Sequence, residues 1–129
     1  MGKTGSVKLD EFFAALADRT RLRLLNLMRD GEVCVCFFAE TLGTNNPKIS
    51  RHLAYLKRAG LVKSRRDGKW MHYSISPLND LNAADIFGAV MRSLEIDDEM
   101  NSDRANLINV CCAPRNPFVN IARSSESAD

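Results

Sequence analysis

The stretch from Asn46 to Tyr73, NPKISRHLAYLKRAGLVKSRRDGKWMHY, constrains the fold of this chain more than any other segment. Pro47 suits the first turn of a helix, because its missing N–H would have no partner there, and Gly60 is typical of a helix end. After Gly60, two strand-like runs flank Asp67-Gly68, which is a strong signal for a tight hairpin turn. The stretch therefore predicts a helix followed by a basic β-hairpin.

The elements around this stretch follow from the spacing of apolar residues and from turn signals. Together they predict a mainly α (α+β) fold, a winged helix-turn-helix with a two-stranded β-hairpin wing. The predicted helices are 8–17, one that starts at Asp18 or Thr20 and ends at Gly31, 37–42, 47–59 and 80–95, and the predicted strands are 61–66 and 70–75.

A chain of 129 residues fits one domain with a tail. Residues 1–100 are expected to form the DNA-binding and dimerisation domain, and residues 101–129 a C-terminal extension that is partly disordered and carries Cys111-Cys112. Dimerisation would help so small a core. The last predicted helix has an apolar stripe without an evident cover within the chain, which favours a homodimer. That stripe consists of Ala84, Phe87, Met91 and Leu94.

The charge distribution indicates a polyanionic partner. Between Pro47 and His72 there are eight Lys and Arg residues against one acid, whereas Leu78–Asn106 holds seven acids and two arginines. A concentrated basic region is typical of nucleic-acid binding. On charge alone, a merely solvated basic surface explains the pattern equally well.

The fourth predicted helix has the two faces that a DNA-reading helix needs. At about 100° per residue, Ile49, Leu53 and Leu56 fall on one narrow arc that predicts the core side. The opposite side carries donors for base edges and phosphates, and the hairpin adds cations for the flanking backbone. The residues predicted to contact DNA are Lys48, Ser50, Arg51, His52, Tyr55 and Arg58 on the helix and Arg65, Arg66 and Lys69 on the hairpin; Trp70 and Tyr73 are expected to pack.

Several other classes of protein fit poorly. No export signal is evident at the N-terminus, and no apolar run approaches the roughly 20 residues of a membrane span. Four cysteines then indicate reduced thiols in a cytoplasmic protein rather than a disulfide framework. No nucleophile with a base and an orienting partner is visible, so we expect neither an enzyme nor an organic cofactor.

Cys34-Val35-Cys36 is a candidate site for a thiophilic ion. Side chains two apart lie on the same side of an extended backbone but on nearly opposite sides of a helix. The pair is therefore expected to chelate one ion only if this segment is extended or irregular. A nearby helix N-terminus is expected to help the thiols ionise. Soft thiolates favour soft ions, for which trivalent arsenic and antimony are natural candidates.

The segments ALADRTRLRLLNLM, PKISRHLAYLKRAGLV and RDGKWMHYSISP resemble the ArsR/SmtB family of bacterial metal-responsive repressors, over about residues 9–94. The resemblance implies a cytoplasmic homodimer on a palindromic operator in double-stranded DNA, released by a toxic ion. EVCVC resembles the arsenite-sensing motif ELCVCDLC of that family, so Cys34 and Cys36 match its first two ligands.

The third ligand of that motif is missing, because its position falls on Ala39. Either Cys111 or Cys112 completes the site, within the chain or from a partner, or the site holds two sulfurs. Two sulfurs suit an organoarsenical or a weaker arsenite site completed by oxygen. Cys111-Cys112 also resembles a vicinal pair that other arsenic-responsive members carry after their last helix. The metal ligands predicted by the resemblance are Cys34, Cys36, Cys111 and Cys112.

The alternatives are a repressor that senses thiol oxidation and, more remotely, a thiol oxidoreductase or a metal carrier. A redox enzyme normally shows Cys-x-x-Cys beside a βαβ pattern, which this chain lacks. A zinc sensor fits poorly, because its ligands in this family lie on the last helix and His52 and His72 lie outside it.

Overall fold

A computed structural model describes residues 7–112 of the chain. Within this part, helices surround a small antiparallel sheet, and the predicted winged helix-turn-helix is confirmed. The elements are α1 Leu9–Leu16, α2 Arg19–Leu27, β1 Val33–Cys34, α3 Val35–Leu42, α4 Asn46–Arg58, β2 Val62–Asp67, β3 Trp70–Ile75, α5 Leu81–Leu94 and α6 Asp98–Leu107, followed by the π-helix Ile108–Cys112.

Side-chain caps fix where the helices begin. Asp18, Asn45 and Asp80 each accept a hydrogen bond from a backbone N–H in the first turn of α2, α4 and α5. Asn45 caps α4 through the N–H of Lys48, so the helix starts at Asn46, one residue before the predicted start.

The sheet has three strands in the order β1-β3-β2, whereas the sequence predicted two. Val33 and Cys34 of β1 pair with Tyr73 and His72 of β3, so the connection before α3 extends the hairpin. Two-residue strands carry little periodic signal, which is why β1 was missed. The hairpin closes over residues 68–69, and Gly68 at φ +64° takes the left-handed conformation that the first turn position requires.

Helix α6 was not predicted. It spans Asp98–Leu107 and crosses residue 100, at which the sequence placed the domain end. Its two buried apolar residues, Met100 and Leu107, are separated by polar residues, so the apolar pattern is weak. Residues 113–129, where disorder is predicted, lie outside the described residues.

One apolar core holds α1–α6 together, and it includes part of the stripe assigned to a dimer contact. Met91 and Leu94 are buried within the chain, while Ala84 and Phe87 are only partly buried. Within residues 7–112, no helix is both long and apolar enough to cross a membrane. The fully buried side chains include Phe12, Leu24, Leu25, Phe38, Ile49, Leu53, Leu56 and Met100.

Candidate nucleic-acid interface and thiol pair

Helix α4 presents a cationic face because its large aliphatic side chains are buried in the core. Ile49, Leu53 and Leu56 are completely buried. Lys48, Ser50, Arg51 and Arg58 are exposed on the remaining surface, and His52 and Tyr55 are half-buried between the two sides. This agrees with the wheel prediction and leaves donors free for a polyanion.

Arg21 of α2 holds His52 and Tyr55 in place, a role that was not predicted from the sequence. Its Nε and Nη2 atoms donate to the carbonyls of Ala15 (2.8 Å) and Ala14 (3.0 Å) at the end of α1. The guanidinium lies 4.0 Å from the centroid of the Tyr55 ring, and its Nη1 lies 3.3 Å from Nδ1 of His52. Because a guanidinium can only donate, Nδ1 accepts and the ring proton of His52 lies on Nε2.

An open cleft of about 350 Å³ lies where α2, the α3–α4 turn and α4 meet. It collects cationic side chains and two hydroxyls at one place, which suits a phosphate group. One of the cations, Arg23, donates hydrogen bonds from Nε and Nη2 to the two carboxylate oxygens of Asp103 in α6, at 2.7 and 2.9 Å. The lining residues are Thr20, Arg23, Leu42, Thr44, Lys48, Arg51 and His52.

Of the three wing cations predicted to contact DNA, one is paired with an acid and two are exposed. Arg66 and Lys69 are exposed, but Arg65 donates to both carboxylate oxygens of Glu32, at 2.9 and 2.7 Å. These hydrogen bonds hold the pKa of the Glu32 carboxyl below its usual value. Trp70 was expected to pack, but it is 47% exposed beside Lys69, whereas Tyr73 does pack against the core.

The sulfurs of Cys34 and Cys36 lie 3.3 Å apart. Cys34 ends β1 with an extended backbone and is the N-cap of α3, and Cys36 lies in the first turn of that helix. The sequence placed both in an irregular connection and started the helix at Phe37. The helix instead starts at Val35, and the sulfurs meet where the extended backbone of Cys34 joins the first turn of α3.

The thiol of Cys36 is harder to ionise than expected. Burial raises its pKa to about 11, and a hydrogen bond with Cys34 adds to the rise. The expectation that the helix N-terminus lowers this pKa is therefore wrong. Desolvation opposes the thiolate more strongly than the first turn of a short helix favours it.

The structure places the sulfurs of two predicted ligands, Cys34 and Cys36, next to each other. Among residues 7–110, whose side chains the structure describes, there is no cluster of three or more His, Cys, Asp or Glu side chains able to hold a metal ion. Ala39, at the third position of the motif, packs against the core. The backbone of Cys111 and Cys112 lies in the π-helix, which contacts α3.

Comparison with known proteins identifies similar regulators. The model of the family described as "Bacterial regulatory protein, arsR family" matches residues 18–64. The arsenical resistance operon repressor of Escherichia coli K12 is 48% identical over 68 residues, which are 52% of this chain and 58% of that protein. The chain thus spans just over half of that relative.

A second relative is matched over more of its length. The uncharacterized HTH-type transcriptional regulator MJ1325 of Methanocaldococcus jannaschii is 45% identical over 69 residues, 53% of this chain and 78% of that protein. Other relatives are named as a probable mercury resistance operon repressor of Streptomyces lividans (45% identical, covering 50% of this chain and 51% of that protein) and as cadmium resistance regulators.

Among solved structures, the homodimeric winged helix-turn-helix domain of Mb0332 from Mycobacterium bovis, a possible ArsR-family regulator, is 32% identical with a TM-score of 0.56. The match covers 67% of this chain and 78% of that one. HlyU from Vibrio cholerae is 27% identical with a TM-score of 0.59, over 72% of this chain and 97% of that one.

Proposed function

Because the chain belongs to the arsR family of bacterial regulatory proteins, we propose that it is a homodimeric transcriptional repressor that trivalent arsenic or antimony releases from operator DNA. The family consists of DNA-binding regulators, so the chain is not an enzyme. The observation that carries the proposal is the 3.3 Å distance between the sulfurs of Cys34 and Cys36, at the start of the helix that leads into α4. We propose that the protein acts in the cytoplasm, where bacterial operator DNA is found.

We propose that α4 enters the major groove. Its exposed face supplies Arg51 and Ser50 for base edges and Lys48 and Arg58 for phosphates. Arg21 orients His52 so that Nε2–H is available as a donor, and it holds the Tyr55 ring at the edge of the contact. On the wing, Arg66 and Lys69 reach the flanking phosphates, and Arg65 does so when it leaves Glu32.

The chemistry of the two thiols supports arsenic over cadmium. Arsenous acid, As(OH)₃, exchanges two hydroxides for Cys34 and Cys36 and releases two waters, so the thiol protons end up in water. Binding thus requires no free thiolate, and the raised pKa of Cys36 is no obstacle. A divalent cation has to expel those protons into solution, which a raised pKa makes unfavourable.

We propose Cys111 or Cys112 as the source of a third sulfur. The contact between their π-helix and α3 supports a site completed within one chain. An organoarsenical such as phenylarsine oxide needs only two sulfurs, because its third position holds carbon. Cys34 and Cys36 alone would satisfy such a ligand.

Release follows from linkage between the two sites. The strand–helix junction that holds the sulfurs is continuous with α3, the turn and α4. An ion that fixes the junction in a geometry unsuited to DNA weakens operator binding. By reciprocity, bound operator weakens ion binding by the same factor, typically about 5–150-fold.

The proposal is tested by fluorescence anisotropy on a labelled duplex that the wild-type protein has enriched from a random-sequence library. Cys34→Ser and Cys36→Ser should bind the duplex like wild type and remain bound when sodium arsenite is added. The matched control, Cys111→Ser/Cys112→Ser, should bind normally and should still be released by phenylarsine oxide. Normal arsenite release of either single variant would remove Cys34 and Cys36 from the sensor.

Thiol oxidation is a second candidate, favoured by the short sulfur–sulfur distance. Hydrogen peroxide would oxidise the two thiols to a disulfide and be reduced to two waters, with both thiol protons passing to water. Release of the duplex by peroxide in metal-free buffer, reversed by a dithiol reductant, would support this candidate. X-ray absorption on arsenite-loaded protein would count the sulfurs bound to arsenic and separate the two mechanisms.

A further inference from the structure

We propose that Glu32 is a positioning residue that couples the thiol pair to the wing: Arg65 alternates between the Glu32 carboxylate and a DNA phosphate, and an ion on Cys34 and Cys36 keeps it on Glu32. The inference rests on the proposed function and adds the path by which the ion affects the DNA contact. This coupling acts on the wing, whereas the linkage described above runs from the thiol pair through α3 to α4.

The first support is the form of the Glu32–Arg65 contact. Nε and Nη2 of Arg65 meet the two carboxylate oxygens at 2.9 and 2.7 Å, so the planar guanidinium is fully matched by one carboxylate. Phosphate binds the same two-pronged donor set, so Arg65 cannot hold both partners in this way. The side chains of Arg65 and Glu32 are 56% and 34% exposed, and water can therefore reach and exchange the pair.

The second support is the register of the sheet. His72 of β3 lies opposite Cys34 on one side and opposite Arg65 on the other. Directly paired residues point to the same face, so Cys34, His72 and Arg65 form one row across the three strands. A shift of β1 at Cys34 is therefore passed through β3 to the position of Arg65.

The third support is the short covalent path between the ion site and the carboxylate. Only Val33 separates Glu32 from Cys34, and Val33 is buried and paired with Tyr73. An ion that bridges Cys34 and Cys36 locks the turn from β1 into α3 and thereby the backbone that carries Glu32. Such an ion stabilises the Glu32–Arg65 pair, which competes with the phosphate contact.

The test is a double-mutant cycle on the full chain, with the same library-selected duplex and sodium arsenite as the probe. Glu32→Gln should bind the duplex about twofold to fivefold more tightly, since the competing ion pair is lost. Arsenite should weaken binding of this variant less than it weakens wild type. In an Arg65→Gln background, Glu32→Gln should change neither the affinity for the duplex nor the extent to which arsenite weakens it.

Salt dependence adds a readout that a purely structural role would not change. Arg65→Gln should reduce the magnitude of the slope of log K against log salt by about 1.8, because the proposed dimer loses one phosphate contact from each wing and each contact is worth about 0.9. Asp67→Asn is the matched control, because it removes a wing acid that acts on Arg65 through its charge alone, whereas Glu32 is hydrogen-bonded to it. It should leave the arsenite response at the wild-type level.

The outcomes separate this inference from the proposed function. If wild-type protein fails to bind the duplex or is not released by arsenite, the proposed function fails and this inference fails with it. If wild type behaves as proposed but Glu32→Gln matches it in affinity and in arsenite response, the coupling through Glu32 is overturned alone. If Asp67→Asn changed the arsenite response as much as Glu32→Gln does, the effect would be one of general charge, and the coupling through Glu32 would also be overturned.

Discussion

Cys36 illustrates how the surroundings of one residue decide its chemistry. A position in the first turn of a helix favours a thiolate, yet burial and the neighbouring Cys34 raise the pKa of Cys36 to about 11. Arg21 is a second case, since its contacts with the α1 carbonyls, His52 and Tyr55 were invisible in the sequence. The pKa of Cys36 and the contacts of Arg21 both depend on neighbouring groups that come close only in the folded chain.

The raised pKa of Cys36 predicts that the apparent affinities for cadmium and for arsenite depend differently on pH. Cadmium must displace the thiol proton at any pH below about 11, so its apparent affinity should rise about tenfold per pH unit for each proton displaced. Arsenite carries hydroxides that accept the protons, so its apparent affinity should stay nearly constant between about pH 6 and 8. The measurement is the concentration of each that releases half of a labelled duplex. Equal pH slopes for the two would contradict the protonated state of the Cys36 thiol.

Helix α6 is the element that was not predicted from the sequence, and ion pairs add to the core contacts of Met100 and Leu107 in its attachment. Arg19 contacts Asp97 and Glu99, Arg23 contacts Asp103, and Arg104 contacts Asp30. Asp103 is 3% exposed, so its pair with Arg23 lies at the buried edge of the contact between α2 and α6. This pair also holds Arg23 at the rim of the basic cleft.

Asp103→Ala should lower the free energy of unfolding by about 2 kcal/mol, because it leaves the Arg23 guanidinium without its closest partner. Urea unfolding measures this, at one fixed protein concentration since a dimer's stability depends on it. The control Asp98→Ala, at an exposed position of the same helix, should change the value by less than about 1 kcal/mol. Equal effects of the two variants would show that the buried pair adds no stability.

At the scale of the whole molecule, apolar side chains left exposed indicate how two copies meet. Leu9 and Phe13 on α1 are 53% and 47% exposed, and Leu81 at the start of α5 is 79% exposed. The part of α5 assigned to a dimer contact from sequence is half covered by the chain's own core. We therefore expect α1 to contribute to the interface, together with the exposed side of α5.

Phe13→Asp should convert the dimer to monomer at micromolar concentration, because it places a charge in an apolar contact. Operator affinity should fall with it, since two α4 helices about one DNA turn apart are needed to read a palindrome. Light scattering after size-exclusion chromatography gives the mass. Ile96→Asp is the control, at an 85% exposed apolar residue between α5 and α6, and should remain dimeric. A dimeric Phe13→Asp would exclude α1 from the interface.

The sequence by itself determined the elements whose signals are local. Pro47 marks the first turn of α4, Asp67-Gly68 marks the hairpin turn, and the spacing of Ile49, Leu53 and Leu56 fixes which side of α4 faces outward. Each signal depends on residues within one or two turns of chain, so it can be read before the fold is known.

The tertiary structure alone decided the features that join distant residues. The pair of Arg65 with Glu32 spans 33 residues, that of Arg21 with His52 spans 31, and that of Arg23 with Asp103 spans 80. The addition of β1 to the sheet likewise joins distant residues, because Val33 and Cys34 pair with Tyr73 and His72. Such contacts leave no periodic pattern, because they depend on how whole elements are oriented rather than on the order of neighbouring residues.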